Sequence, residues 1–474
     1  MRHALAPVQL RTFLRKSSRQ KLTLRMHRHI ITLSFVLLLF GCKPDKVHDL
    51  AIKNVKVLNV LTGEIQSNKT ILIDNGKINQ IINADQSFKA IENIDGNSKL
   101  VTPSFIDTHI HPTDILGDYD NAPKTLHTDS LAIYRKRISD SYLPFGVTTV
   151  LTMGQPDNWL DSMMQWQINP NDRLVDYYLS GGAMISKDNR VPYIGHIEVT
   201  SPQLARQKII EYHNKGVKYV KIYYRLKEPE FSTVIKVADS LKMPVFGHIG
   251  DPSQEYPSIS YALNNGLKNI EHITVLGNTF FTTQKERDDF TNSFENKFGA
   301  LNSEPKIIQY FLEQFRYIED NKQKEKAEFI KLMVNKKATL STTIYRVYDQ
   351  VRNTNTSFSK IQLERNLANF KLMMDFAKEL HNKGVELRIA TDMSNGGKVL
   401  LSELVILSKY GFSIADVFKI ATINGAKAMQ LENEIGSIDI GKKANLLIWS
   451  RNPFENPENF EQPKIILKNG KQIK

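Results

Sequence analysis

From about Thr102 to Gln430 the chain alternates between short apolar, β-branched runs and longer amphipathic stretches. The runs are "SFIDTHIH", "GVTTVLTM", "LVDYYLSGGAMI", "GVKYVKIYY", "MPVFGHI", "LKNIEHITVL", "ATLSTTIY" and "VELRIATD". Between most of them lie segments of helical period, such as "SPQLARQKIIEYHNKG" and "SKIQLERNLANFKLMMDFAKELHNKG". Several of these end in Asn-Lys-Gly or Asn-Asn-Gly directly before the next run, a helix-stop signal. Eight strands alternating with helices predict an α/β fold, a (β/α)8 TIM-type barrel; an open doubly wound sheet is the alternative, and eight units favour closure. The longest departure is Gly277–Lys337, polar, charged and helical, which predicts a lid or an extension after the sixth strand.

The two ends read differently from the middle. "LAIKNVKVLNVLTGE", "KTILIDNGKINQIINA" and "IENIDGNSKLVTP" are β-rich with Asn-Gly or Asp-Gly turns, and "GSIDIGKKANLLIWSRNP" and "PKIILKNGKQIK" repeat that character at the far end. The expectation is a small β-sandwich domain made of residues 48–103 plus 434–474, with a barrel of residues 104–433 inserted between its halves.

Charge changes this picture only at the N-terminus. The 474 residues carry 63 Lys and Arg against 50 Asp and Glu, a formal charge of +13. Residues 1–41 hold eight of the basic residues and no acidic one, so the remainder carries 55 against 50. No basic run is interleaved with aromatics, so no nucleic-acid partner is expected. Within "MHRHIITLSFVLLLFGC" a basic start precedes an apolar run from Ile30 to Phe40, too short to span a bilayer and suited to a signal peptide. Leu39-Phe40-Gly41-Cys42 resembles a bacterial lipoprotein cleavage box, with Phe40 bulkier than the usual residue there. That resemblance implies lipidation of Cys42, the single cysteine of the chain, and a lipid-anchored protein of the cell envelope, periplasmic or surface-facing. Lys43 in place of a retention aspartate favours the outer membrane. The plainer readings are an ordinary cleaved signal peptide or a core helix with an incidental cysteine. Met26 is an alternative start to Met1. With one cysteine, no internal disulfide is expected.

Polar residues at the C-terminal ends of the barrel strands are the place to look for chemistry. Strand one offers His109 and His111, which alternate and so project to one face. Strand four offers Lys221, strand five His248, strand six His272 and strand eight Asp392. Each has a plain explanation alone: a strand histidine is more often a hydrogen-bonded core residue, and Lys221 can snorkel to the surface. Six such residues on apolar strands, where polar groups are costly unless paired or coordinated, carry weight as a set.

The order His-x-His, Lys, His, His, Asp resembles the amidohydrolase superfamily of metal-dependent hydrolases. "GVTTVLTMG", "NNGLKNIEHIT" and "ATINGAKAMQLENEIGSIDIGKKANLLIW" add to the likeness, which covers nearly all of residues 50–455 and looks closest to the imidazolonepropionase and Xaa-Pro dipeptidase-like branch. The resemblance implies that His109, His111 and Asp392 hold one divalent metal and His248 and His272 a second, with two zinc ions expected, bridged by a Lys221 carboxylated on its amine. Imidazole and carboxylate suit such ions, and an ammonium would be repelled where a carbamate offers each ion an oxygen. A water shared by the metals then attacks a polarised carbonyl, with Asp392 as base and then acid.

Softer candidates surround this set. Tyr223 and Arg225 after strand four and Tyr345 at the end of strand seven are taken as substrate-binding residues, with Tyr224 and Arg346 beside them; loop packing and solvent-facing charge are the alternative. Glu403 is read as a helix-start acid rather than a catalytic one, His196 as a residue of a loop overhanging the mouth, and Trp159 and Trp166 as core or interface. Gly250 stands where many relatives place a second polar residue beyond the strand-five histidine, which weakens any transfer of specificity.

The expected function is hydrolysis of an amide, peptide or cyclic amide bond by a binuclear metal centre. The alternatives are a mononuclear imidazolone-type hydrolase or an aminohydrolase, and a non-catalytic binding lipoprotein. Expected partners are a small-molecule or dipeptide substrate and the membrane, with homo-oligomerisation left open.

Overall fold

All eight apolar runs contain a β-strand in the computed structural model, which describes residues 46–117, 122–187, 196–250, 255–353 and 358–473. The leader, Cys42 and Lys43 lie outside the described residues.

The chain begins with β1 (Val47–Leu58), β2 (Ile65–Asp74), β3 (Lys77–Asn83), β4 (Lys89–Asp95) and β5 (Leu100–Pro103). The barrel strands follow: β6 (Phe105–Ile110), β7 (Val147–Thr152), β8 (Asp176–Tyr178), β9 (Ala183–Ile185), β10 (His196–Glu198), β11 (Val220–Ile222), β12 (Val245–Gly247), β13 (Asn269–Ile270), β14 (Thr339–Ser341) and β15 (Glu386–Arg388). The chain ends with β16 (Leu446–Trp449), β17 (Lys464–Lys468) and β18 (Lys471–Ile473).

One sheet joins the two ends, in the order β18-β17-β16-β5-β1-β2-β3. Its core mixes residues from both: Val57, Ile71 and Val101 pack with Leu446, Ile448 and Leu467. The middle of the chain forms two parallel stretches, β6-β7-β8 and β9-β11-β12-β13-β14-β15, with β10 added beside β9. The third run is divided. Its first part, β8, pairs with β7, and its second, β9, pairs with β11. Gly181 lies at the break with φ +71°, and a Cβ there would fall 2.4 Å from the Tyr212 ring, so the chain can turn beside that ring only without a side chain. The ring closes between β15 and β6, where Thr108 N donates to Ile389 O at 3.1 Å and Asp392 N to His109 O at 3.0 Å. This is a (β/α)8 barrel with eight strand positions.

The helix signals hold. Ser201 caps Pro202–Asn214 through Leu204 N, and Gly216 ends that turn at φ +85°. Ser359 and Gln362 form a capping box at the start of Lys360–Asn382. The segment after β13 contains helices Gln284–Phe298, Glu304–Asn321 and Gln323–Asn335. Glu313 on the second of these makes a two-pronged pair with Arg365, at 2.5 and 2.6 Å, fastening the extension to Lys360–Asn382.

Candidate metal centre

The expected ligand residues converge at the C-terminal ends of the barrel strands. His109 and His111 leave β6 on the same side, their Nε2 atoms 3.2 Å apart. Asp392, just past β15, places Oδ1 3.1 Å from His111 Nε2 and 3.6 Å from His109 Nε2. One donor atom from each of these three residues lies within 4.8 Å of the others, which makes them a candidate metal site. The His272 ring centroid is 4.7 Å from that of His109, and the His248 centroid 4.5 Å from that of His272.

Lys221 on β11 is 1% exposed, and its Nζ has no hydrogen-bond partner among the described residues. It does not snorkel. Burial lowers its pKa to about 8, against the pull of Glu271 and Asp392.

Two of the ligand-type residues sit on left-handed backbone, His272 at φ +67° and Asp392 at φ +51°. Each such non-glycine residue costs on the order of 1 kcal/mol or more, a cost tolerated mainly where a side chain must be aimed. The His272 backbone is held by donation from its N–H to Ser341 Oγ at 2.7 Å, and its ring Nδ1 lies 3.1 Å from Thr343 Oγ1.

Electrostatics favour a cation here. Burial lowers the pKa of His109 to about 4, helped by Lys221, and that of His272 to about 3, helped by His109. His248 is also driven well down, by burial first and then by His272 and Lys221. Burial alone would push the Asp392 carboxyl up, but His109 and the hydrogen bond from His111 outweigh it and hold the carboxyl well below its ordinary range. His111 runs the other way: burial lowers its pKa, the Asp392 hydrogen bond and charge raise it more, and the net shift is upward. Neutral imidazoles around an ionised carboxylate, with a proton of His111 held where a cation would displace it, fit a divalent metal.

Beneath the ligands lies a second set of polar residues. Glu271 Oε2 is 2.6 Å from His109 Nδ1, and Arg388 pairs with Glu271 Oε1. Asp107 accepts from His109 N and Thr391 N, both at 3.1 Å, and from Thr391 Oγ1 at 2.5 Å. Burial pushes the Asp107 carboxyl up to about 7. The sequence reading passed over Asp107, Glu271 and Arg388. Each stands in one of the apolar runs quoted above, so the signal that selected the histidines was present for them too.

Above the ligands opens a cleft of about 530 Å³, whose walls include Asp114, Tyr223, Glu304, Tyr345, Arg346 and Asp349. Of the expected substrate-binding residues, Tyr223 and Tyr345 line it and Arg225 does not; the Arg225 guanidinium lies 5.3 Å from the Tyr224 ring centroid instead. His196 is on β10, with its ring 4.5 Å from that of Tyr223. Glu304, the first residue of its helix, pairs with Arg346 at 2.6 Å, so the extension after β13 supplies part of the cleft wall.

Glu403 corrects one expectation. It does not open its helix, which starts at Gly396 and runs to Lys409; it is fully buried at mid-helix. Its Oε1 accepts from Ile344 N at 2.7 Å and Tyr345 N at 3.0 Å, and its Oε2 accepts from Thr342 Oγ1. The helix begins earlier because Gly396 and Gly397 let it press against Tyr142, where a Cβ at Gly396 would fall 2.2 Å from the ring. Trp159 and Trp166 are core residues as expected.

The fold resembles that of known structures. A Xaa-Pro dipeptidase superposes over 90% of this chain and 99% of its own, with a TM-score of 0.64 and 19% identity. Among curated proteins, the imidazolonepropionase of Brevibacillus brevis is 31% identical over 110 residues, covering 21% of this chain and 26% of that protein. A 5-methylthioadenosine/S-adenosylhomocysteine deaminase of Caldanaerobacter subterraneus is 31% identical over 106 residues, covering 19% and 24%. The match therefore spans about a quarter of each of these two relatives. The model of the amidohydrolase family matches residues 100–473, and the chain belongs to that family.

Proposed function

We propose that this chain is a binuclear metal-dependent hydrolase of a carbon–nitrogen bond in an amide, peptide or cyclic amide. The observation that carries this reading is Lys221 Nζ, buried without a hydrogen-bond partner among the described residues and electrostatically coupled to His109, His111, His248, His272 and Asp392. An ammonium in that position is poorly accommodated. Carboxylation by carbon dioxide turns it into an anion with two oxygens, one for each of two cations. His109, His111 and Asp392 then hold one ion, His248 and His272 the other, and zinc suits the nitrogen-rich donor set.

When bound, the ions supply an acidified water and polarise the scissile carbonyl. Asp392 takes a proton at its carboxylate and delivers it to the leaving nitrogen, acting as base and then acid. The neighbouring His109 and His111 keep that carboxylate ionised. Tyr223 and Tyr345, on the cleft walls, contribute hydroxyl groups to substrate binding. Cys42 carries a lipid that anchors the chain in the cell envelope, a reading that rests on the leader pattern alone.

The test is metal content of a form beginning after Cys42, purified with bicarbonate. Two ions per chain are expected; one or none overturns the binuclear reading. A one-metal reading, as an imidazolone-type hydrolase or an aminohydrolase, has support of its own in the tight His109, His111 and Asp392 group and in the names of the curated relatives. Under that reading Lys221→Ala stays largely active.

A further inference from the structure

We infer that Glu271, clamped by Arg388, is a positioning residue that fixes the ring of His109 so that its Nε2 lone pair points at the metal. The inference rests on the reading of His109 as a metal ligand. Glu271 and Arg388 are both fully buried. A buried ion pair is poor evidence of stabilisation, since desolvation offsets most of the attraction, so its presence under a ligand asks for another reason.

The geometry supplies one. Arg388 lies on β15 and braces its neighbours: Nη1 donates to Thr108 Oγ1 at 2.8 Å, Nε to Thr339 Oγ1 at 3.1 Å and Nη2 to Ile270 O at 3.2 Å. Those partners sit on β6, β14 and β13, so the guanidinium is tied to three other strands. It holds Glu271 Oε1, and the other oxygen, Oε2, faces His109 Nδ1 at 2.6 Å. An ionised carboxylate only accepts, so the proton of His109 is on Nδ1 and the lone pair on Nε2, the atom that faces His111 and Asp392. The other histidine of the pair lacks such a support, because His111 Nδ1 is buried with no hydrogen-bond partner among the described residues. Within that pair the support is specific to His109.

Two double variants of the full chain separate the hydrogen bond from the charge pair. Glu271→Gln with Arg388→Met keeps an acceptor for His109, and Glu271→Leu with Arg388→Met removes it; neither leaves one member of the Glu271–Arg388 pair charged without the other, and both alter the surroundings of Lys221 alike. Zinc affinity is read by competition against a chelator, with unfolding of the metal-free proteins as the control for folding. The glutamine variant should bind both ions within about threefold of wild type. The leucine variant should lose on the order of 10- to 100-fold at one ion and keep the other. Equal binding by the two variants, or equal weakening at both ions, overturns the inference. If wild type itself binds no zinc, the metal-centre reading falls with it. Should the leucine variant not fold, wild type labelled with nitrogen-15 histidine decides: a proton on Nδ1 of His109, assigned against His109→Asn, is expected, and a proton on Nε2 in the metal-free protein overturns it.

Discussion

The amide of Asp392 donates to the carbonyl of His109 at 3.0 Å, so the bond that helps close the barrel joins two of the residues placed to hold one metal. Their side chains meet on the same spot, Oδ1 to Nε2 at 3.6 Å. An ion there would bind the closed ring and not the opened one. Any ligand that binds only the folded state stabilises it by mass action, about 2.7 kcal/mol at a hundredfold excess over its dissociation constant. Zinc is therefore expected to raise the denaturation temperature of the stripped protein, and a chelator to lower it. The same temperature with and without zinc at saturating concentration would contradict the site.

Lys221 is the residue on which the count of ions turns. Under the proposed binuclear reading, Lys221→Ala removes the bridging oxygens, and metal content should fall from two ions to one or fewer. Activity on any substrate found for wild type should drop at least 100-fold, since both carbonyl polarisation and water activation suffer. A short carboxylate such as formate, small enough to occupy the vacated space, should restore part of both. A variant that keeps two ions and full activity without any added acid would remove Lys221 from the site.

The pattern along the chain was enough for the barrel, because each strand is a dense apolar run and several of the helices, such as Pro202–Asn214 and Lys360–Asn382, carry a serine cap at the start and a glycine just past the end. The six ligand-type residues were legible for the same reason, as polar intruders at predictable strand ends. What stayed hidden depends on contacts between distant parts of the chain. Glu271 and Arg388 are 117 residues apart, and only the closed ring shows that one clamps the other. Glu304 reaches the cleft because its helix is fastened by the Glu313–Arg365 pair, a contact that local periodicity does not carry. Glu403 was placed at a helix start, but the helix begins earlier, at Gly396, where two glycines admit the distant Tyr142. The break in the third strand turns on Gly181 beside the Tyr212 ring, again a long-range contact.

The leader makes a separate prediction. If Cys42 is lipidated, the protein expressed with its own N-terminus should partition into detergent, with a mass increase matching the acyl groups. A single myristoyl-type chain binds membranes only marginally, so stable anchoring calls for more than one. Cys42→Ala should appear in the aqueous phase. Equal partition of the two forms would leave the cysteine without a role in anchoring.

Glu403 links pH to stability through the wall of the cleft. Burial pushes its carboxyl up to about 8, against the hydrogen bond from Thr342 and the amides of Tyr345 and Ile344, from an ordinary value of 4.5. Between those two values the folded protein keeps a proton that the unfolded chain has released. Stability therefore falls as pH rises across that window, by up to ~1.4 kcal/mol per pH unit, and levels off above about 8. Glu403→Gln imitates the protonated form: its oxygen accepts from the amides of Ile344 and Tyr345, and its NH2 donates to Thr342. The variant should match wild type near pH 5 and gain on it steadily up to pH 8, as read from denaturant midpoints of the metal-free proteins. Asp107, also displaced upward, is present in both; its charge helps to raise the Glu403 carboxyl, so the two titrations are coupled and the gap is read across the whole window. A gap between variant and wild type that does not change with pH would mean that Glu403 is ionised throughout, and that Tyr345 and its helix are held by a charge rather than by a neutral acid.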